Sequence, residues 1–115
     1  MSATLPTQSI APGICVAPQL TPEAMAEAAK AGFRSVVNNR PDFEGGPGQP
    51  TNEQIKSAAE AAGLKYRFLP VSGAYQSPED AKAMAQLLAE LPRPMLMFCR
   101  SGARSMRLFN LAQEV

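Results

Sequence analysis

One short segment of the chain combines a candidate nucleophile with several groups that stabilise negative charge. The segment reads Cys99, Arg100, Ser101, Gly102, Ala103, Arg104 and Ser105. It follows an apolar run and precedes a stretch with helical apolar spacing, so we expect a loop between a buried strand and a helix N-terminus. The first amides of a helix lack intrahelical partners and point into such a loop with the positive end of the helix dipole. Gly102 permits the tight backbone that lets successive amides, including that of Ala103, converge on one anion.

The side chains of this loop favour anions for further reasons. Helix N-termini and nearby cations lower the pKa of a thiol, so we expect Cys99 to act as a catalytic thiolate. The planar fork of Arg104 matches a tetrahedral oxyanion, and Arg100 adds a second positive charge. The hydroxyls of Ser101 and Ser105 can donate hydrogen bonds to either anion. The loop therefore predicts an anion site with a cysteine nucleophile.

The composition excludes several kinds of catalytic site. The chain has 115 residues, a net charge of +1 and no His. Without an imidazole, Ser-His-Asp and Cys-His catalysis are excluded within this chain, and most zinc and transition-metal sites with them. We therefore expect no metal and no cofactor. The small net charge indicates neither a nucleic-acid nor a membrane partner, and a small anionic substrate is expected instead.

The remaining cysteine and the N-terminus carry less information. Cys15 has apolar neighbours and no basic residue close by, so we interpret it as structural. Residues 1–8 lack the charged and apolar regions of a signal peptide, and we expect a cytoplasmic protein with reduced thiols. We assign residues 1–8 to an N-terminal tail and residues 9–115 to a single domain.

Apolar runs alternate along the chain with helices that have clear start signals. Four strands are predicted, at residues 14–16, 33–37, 64–71 and 95–98. Four helices are predicted, over residues 21–31, 51–62, 77–91 and 105–114. Such alternation indicates βαβ units, hence an α/β fold with a mainly parallel sheet and helices on both faces. Ligands bind these sheets beyond the carboxyl ends of the strands, which is where Cys99 follows residues 95–98.

The loop resembles the active-site loops of two known families. It is similar to the loop of single-domain rhodaneses, and close to the phosphate-binding loop of cysteine-dependent phosphatases. With four upstream segments it resembles the phosphatase-like domain of the beta-lactamase hydrolase-like family over residues 9–114. These segments are residues 18–21, 39–44, 49–51 and 69–72. The resemblance implies the three-layer fold of dual-specificity phosphatases and an activity labelled either phosphatase-like or sulfurtransferase. It also implies, as a partner in some members, a sulfur dioxygenase of metallo-β-lactamase fold.

The loop departs from the phosphatase pattern in two ways. Phe98 stands where that pattern has His, and four residues rather than five separate Cys99 from Arg104. The shorter spacing is that of rhodaneses. A thiolate of depressed pKa is both largely ionised and a good leaving group, which suits sulfur transfer.

A third departure concerns the general acid that a phosphatase needs to protonate its leaving oxygen. Residues 71–75 follow a strand where such an acid is expected, and they contain no carboxylate. Asp42, held by Arg40, is the candidate acid or pocket residue, and a turn residue or loop ion pair is the alternative interpretation. Tyr75 is a further pocket candidate.

Three functions remain open from the sequence. The leading hypothesis is sulfur transfer from a persulfide or thiosulfate through a persulfide on Cys99. The second is phosphoester hydrolysis through a phosphocysteine, in which Arg104 clamps the phosphate. The third is a module without catalysis that binds anions or docks a partner enzyme.

Overall fold

The computed structural model describes residues 5–115 as one five-stranded sheet with four helices. The strands are β1 (Gln8–Ala11), β2 (Ile14–Ala17), β3 (Ser35–Asn38), β4 (Lys65–Phe68) and β5 (Met95–Phe98). The helices are α1 (Glu23–Lys30), α2 (Asn52–Ala61), α3 (Pro78–Glu90) and α4 (Ala103–Ala112). The strand order is β1-β2-β5-β3-β4, and every pair is parallel except β1 with β2. The predicted α/β fold is therefore confirmed.

The central strand β5 divides the core into two layers. Met95 and Met97 belong to the cluster packed beneath α3 and α4, whereas Leu96 and Phe98 belong to the cluster beneath α1 and α2. All four side chains are fully buried. A strand buried on both faces reads as a continuous apolar run, which explains the strong signal at these positions. The same packing shows what Phe98 does: its ring lies in the core immediately before the loop.

The helix starts follow from local chemistry. The hydroxyl of Thr51 accepts the amide of Gln54, and the Gln54 side chain accepts the amide of Thr51 in return. Ser77 and Asp80 form the same reciprocal pair at the start of α3. These capping boxes set where α2 and α3 begin, and hence where the preceding loops must end.

The structure differs from the sequence prediction at both ends of the domain. It contains an additional strand, β1, which pairs with β2 through a turn in which Gly13 has φ of +73°. This edge strand is short, interrupted by a register shift and mostly polar or exposed, so it lacks the alternation that signals a strand. Helix α4 begins at Ala103, two residues before the predicted start, because Gly102 already occupies its N-cap position. Residues 1–4 of the predicted tail lie outside the described residues.

Candidate active site

Cys99 lies at the carboxyl end of the central strand, between its two neighbours. Its amide donates a hydrogen bond to the carbonyl of Ala17 at 3.4 Å, beyond the last residue pair of β2 and β5. On the other side, the amide of Asn39 donates to the carbonyl of Phe98 at 2.9 Å. Cys99 is fully buried. The backbone of Cys99 is thus held on both sides by neighbouring segments of the sheet.

The turn after Cys99 directs a backbone amide at the sulfur. Gly102 is the N-cap of α4 with φ of +94°, in the left-handed region that side chains rarely adopt. Its amide donates to the Cys99 Sγ at 3.1 Å. A Cβ at Gly102 would meet the Ala17 backbone no closer than 3.5 Å, an ordinary contact. Backbone conformation, rather than space, is therefore what requires glycine here.

Hydrogen bonds at the start of α4 hold the pKa of Cys99 below its ordinary value. Burial alone raises the pKa of this thiol, because it disfavours the charged form. The amide and hydroxyl of Ser105 and the amides of Gly102 and Ser101 favour the thiolate and outweigh burial. In contrast, burial raises the pKa of Cys15, which is half-buried and free. Of the two thiols, Cys99 is thus the one whose surroundings favour the thiolate.

Ser105 connects Cys99 to a buried amide. The Ser105 hydroxyl donates its single proton to the Oδ1 of Asn39 at 2.8 Å, so its backbone amide is the firmer contact to the sulfur. The Asn39 Nδ2 donates to the carbonyl of Leu69 at 3.0 Å, which fixes the orientation of its amide group. Ser105 and Asn39 are both fully buried. They tie the loop to the ends of β3 and β4.

Arg104 is buried, and one of its three side-chain nitrogens has no hydrogen-bond partner. Its Nη1 donates to the carbonyl of Val71 at 3.1 Å, and its Nη2 donates to the Oε1 of Glu44 at 2.9 Å. Its Nε has no hydrogen-bond partner. Every other buried side-chain nitrogen or oxygen in residues 5–115 has one. A buried donor without a partner costs free energy, on the order of 1–3 kcal/mol.

Glu44 pairs with two arginines at once. Its Oε1 lies 2.9 Å from the Nη2 of Arg104 and 3.0 Å from the Nε of Arg40. The hydrogen bond from Arg104 is the main cause that lowers the pKa of Glu44, with Arg40 adding to it and partial burial opposing it. Glu44 is therefore held ionised. Arg40 is held from its other side by the Gln19 Oε1, which accepts from its Nη1 at 3.1 Å.

The predicted candidate acid lies elsewhere. The Asp42 Oδ1 accepts the amide of Asn52 at 2.7 Å, at the first residue of α2. Carboxylates are favoured at a helix N-terminus, so this contact accounts for Asp42. Arg40 pairs with Glu44 rather than with Asp42. The structure thus does not join Asp42 to Arg104 through any contact of the described residues.

Three residues of the predicted loop lie on its outer side. Arg100, Ser101 and Ala103 are exposed. The carbonyl of Arg100 accepts the amide of Gln19 at 3.2 Å, which anchors this part of the loop. A cavity of about 440 Å³ lies between this outer side, β2 and α4, and Cys99 does not line it. This cavity therefore borders the outer side of the loop and not Cys99.

Sequence reasoning missed Glu44, Asn39 and the carbonyl of Val71 as partners of the loop. The four-residue spacing of Arg40 and Glu44 was the available signal, since both are charged and lie in one segment. Neither this spacing nor the type of Asn39 indicates which remote residue is contacted. The sheet order, which puts β3 beside β5, supplies that information.

Residues 5–115 offer neither a cluster of metal ligands nor a helix that could span a membrane. No group of three or more His, Cys, Asp or Glu side chains there could hold a metal ion. None of the helices in this part of the chain has the length and apolar character needed to cross a membrane.

Known proteins of similar sequence carry phosphatase-like domains. The family model for the phosphatase-like domain of beta-lactamase hydrolase-like proteins matches residues 7–115. The chain is 46% identical over 84 residues to the beta-lactamase hydrolase-like protein of Agrobacterium fabrum, covering 73% of this chain and 19% of that protein. It is 38% identical over 87 residues to the Xylella fastidiosa protein of the same name, covering 76% of this chain and 20% of that protein. The chain thus spans about a fifth of the length of these curated relatives.

Solved structures show the same likeness. A candidate phosphatase from Neisseria meningitidis superposes with a TM-score of 0.80 and 30% identity, covering 88% of this chain and 71% of that chain. A candidate phosphatase from Shewanella putrefaciens has a TM-score of 0.79 and 20% identity, covering 95% and 70% of the two chains. Tk-PTP in its active form has a TM-score of 0.63 and 17% identity, covering 84% and 63%. The last two likenesses concern the fold alone.

Proposed function

This chain belongs to the family of phosphatase-like domains of beta-lactamase hydrolase-like proteins, and from that membership we propose that it is an enzyme with a cysteine nucleophile that transfers sulfane sulfur through a persulfide on Cys99. Arg104 and the loop amides hold the anionic group that Cys99 attacks. The substrate is a small anionic sulfur donor, and no metal or cofactor takes part.

The double ion pair of Glu44, with Arg104 at 2.9 Å and Arg40 at 3.0 Å, is the observation that carries this proposal. Among residues 5–115, Glu44 is the carboxylate that forms an ion pair with Arg104. This ion pair lowers the pKa of Glu44. A carboxylate with a lowered pKa is a poor proton donor at neutral pH, whereas phosphoester hydrolysis requires a proton for the leaving oxygen. Sulfur transfer requires no such proton, because a thiolate or sulfite leaves as an anion.

The proposed reaction has two balanced steps. In the first, the Cys99 thiolate attacks the outer sulfur of a persulfide RSSH; the donor S–S bond breaks, RS⁻ leaves with the electron pair, and Cys99-S-SH forms. In the second, an acceptor thiolate attacks the same outer sulfur and takes it as R′SSH, which regenerates the Cys99 thiolate. The amides of Gly102 and Ser105 stabilise the cysteine sulfur whenever it carries the negative charge.

Phosphoester hydrolysis is the second candidate, and the geometry of Arg104 favours it. Its Nε has no partner and its Nη2 is held by Glu44, so a phosphate that displaced the Glu44 carboxylate would meet two donors on one edge of the guanidinium. The matching family of phosphatase-like domains and the similar candidate phosphatase from Neisseria meningitidis also support this second function. A module that only binds anions remains the third candidate.

Steady-state assays on one preparation distinguish the three functions. One assay follows sulfur transfer from glutathione persulfide or thiosulfate to cyanide, and the other follows hydrolysis of an aryl phosphate. The proposal expects sulfur transfer that Cys99→Ser abolishes and Cys15→Ser preserves, with no aryl phosphate turnover. Phosphate turnover that depends on Cys99, without sulfur transfer, would favour the second candidate. Neither activity, together with a melting temperature raised by phosphate, would favour the third.

A partner enzyme is a further part of the proposal. The curated relatives are about five times as long as this match, so the domain exists there within larger chains. We propose that a sulfur dioxygenase of metallo-β-lactamase fold shares the persulfide pool with this enzyme, in the cytoplasm, where thiols are kept reduced.

A further inference from the structure

Two exposed aromatic side chains lie on the loops that hold Arg104. Phe43 is 65% exposed and Tyr75 is 66% exposed. The other aromatic residues of the chain are buried or half-buried; they are Phe33, Tyr66, Phe68, Phe98 and Phe109. Scattered apolar side chains at a surface need no explanation. Here, however, both exposed rings belong to loops that contact the same buried arginine, Arg104.

The contacts of Arg104 locate the two rings. Phe43 directly precedes Glu44, whose Oε1 lies 2.9 Å from the Nη2 of Arg104. Tyr75 comes two residues after Gly73, where an added Cβ would lie 2.9 Å from the same Nη2. The two loops therefore meet at the Arg104 guanidinium from different parts of the chain. We call Phe43 and Tyr75, one on each of these loops, the aromatic rim.

The loop that carries Tyr75 is held in place by hydrogen bonds. The Nε2 of Gln76, a buried side chain, donates to the carbonyl of Ser72 at 2.6 Å. From α4, the Nη1 of Arg107 donates to the carbonyl of Gly73 at 3.3 Å and to the Gln76 Oε1 at 3.4 Å. Tyr75 is thus presented by an ordered segment, so little conformational entropy is lost when a ligand contacts it.

The backbone of Phe43 is unusual for an aromatic residue. Its φ is +63°, in the left-handed region. Among residues 5–115, no other residue except glycine has a positive φ. The amide of Glu44 donates to the carbonyl of Pro41 at 3.4 Å, which makes Phe43 the third residue of a tight turn. Gly or Asn fits that position without strain, whereas a bulky side chain costs conformational energy. Strain of this kind collects at functional sites.

We propose that the aromatic rim of Phe43 and Tyr75 binds the organic part of the sulfur donor, so that the substrate class is an organic persulfide or thiosulfonate rather than inorganic thiosulfate; this inference rests on the proposed function. Cys99 is fully buried, so only a narrow sulfane end reaches it, and the remainder of the donor stays at the rim. Thiosulfate has no apolar part that the rings could contact.

A series of sulfur donors that share the same terminal sulfur but differ in the attached group tests this inference. The probes are thiosulfate, methanethiosulfonate and benzenethiosulfonate, with cyanide as the acceptor. For the organic probes, the Cys99 thiolate attacks the outer sulfur of RSO₂S⁻; the S–S bond breaks, the sulfinate RSO₂⁻ leaves with the electron pair, and Cys99-S-S⁻ remains. Cyanide then removes the outer sulfur as thiocyanate and restores the thiolate. Only R differs along the organic pair.

Ring removal should lower the preference for the aromatic donor. Phe43→Asn suits the left-handed backbone without a ring, and Tyr75→Ser removes the other ring. We expect each to reduce the kcat/KM ratio of benzenethiosulfonate to thiosulfate by roughly threefold to tenfold, mainly through KM, as one aromatic contact is worth. Phe43→Tyr and Tyr75→Phe should restore the ratio. Val115→Ser, at the remaining strongly exposed apolar residue, is the matched control and should leave it unchanged.

The outcomes separate the two levels of the proposal. If sulfur reaches Cys99 from every donor and the ratio is unchanged in both ring-removal variants, the rim inference is wrong and the proposed function stands. If no donor places sulfur on Cys99 in the unaltered protein, the proposed function is wrong and the rim inference with it.

Discussion

The Nη2 of Arg104 and the Oε1 of Glu44 lie 2.9 Å apart, although the two residues are separated by 60 positions in the sequence. This ion pair joins the loop after β3 to the start of α4. It also removes the carboxylate at the site from the set of proton donors, because Arg104 lowers the pKa of Glu44. The same pair therefore holds the Arg104 guanidinium in place and keeps Glu44 ionised.

Glu44→Gln should make stability less dependent on acid pH. The folded-state pKa of Glu44 is lowered, so its ion pairs add stability that is present above the unfolded pKa and lost as pH falls through the folded value. Since Glu44 is partly exposed, we expect a loss of about 1 kcal/mol at neutral pH and a smaller loss below about pH 4. Urea unfolding at both pH values measures this, with Glu114→Gln as the control. An equal loss at both pH values would contradict the ion-pair interpretation.

Cys99 should react with iodoacetamide at lower pH than an ordinary thiol. The helix-terminal hydrogen bonds lower its pKa, whereas burial raises the pKa of Cys15. Thiolate is the reactive form, so the Cys99 rate should reach its plateau at lower pH than the Cys15 rate between about pH 5 and pH 10. Peptide mass analysis after alkylation gives both rates in one sample. A Cys99 midpoint at or above that of free cysteine would contradict the thiolate assignment.

Ser105→Ala should raise the pKa of Cys99 and slow the reaction. The hydroxyl donates its single proton to the Asn39 Oδ1 at 2.8 Å, and it favours the thiolate when that proton turns to the Cys99 sulfur instead. Loss of this shared hydrogen bond predicts a fall in sulfur transfer of up to about tenfold near neutral pH. Because the defect lies in ionisation, the rate should recover at higher pH, and Ser105→Thr should retain most of it. A loss that is the same at all pH values would instead indicate damage to the loop.

Gly102→Ala and Gly32→Ala form a matched pair. Both glycines have positive φ, +94° and +100°, and neither has a neighbour that would block a Cβ. Each substitution should therefore cost a similar stability, about 1–2 kcal/mol, from the left-handed backbone. Alanine keeps the backbone N–H, but relief of the positive φ at residue 102 would turn this amide away from the Cys99 sulfur, so only Gly102→Ala should lose activity and raise the Cys99 pKa. Equal activity of the two variants would mean that the direction of this amide has no role.

The sequence predicts the elements and the loop better than it predicts the contacts between them. The sequence predicts β5 at its observed residues because this strand is apolar on both faces. The capping box of Thr51 and Gln54 predicts the start of α2. The Cys99 loop was placed between strand and helix for the same local reasons. Such signals can be recognised in the sequence because they arise from residues that are neighbours within one helical turn or one strand.

The partners of the loop could not be found in this way. The contact of Arg104 with Glu44 depends on the order β2-β5-β3 in the sheet, which no local pattern encodes. Asp42 was considered for the site because it lies near Arg40, yet its carboxylate binds the amide of Asn52. Both carboxylates lie in one loop, and only the course of the backbone decides which one reaches the site. The strained turn at Phe43 belongs to that course.

Intact-mass spectrometry tests the central claim most directly. The protein is incubated with glutathione persulfide, freed of excess donor and measured before and after addition of an acceptor thiol. A persulfide mechanism predicts a gain of one sulfur atom, absent in Cys99→Ser, present in Cys15→Ser and removed by the acceptor. An unchanged mass, or a sulfur atom that persists in Cys99→Ser, would contradict sulfur transfer through Cys99.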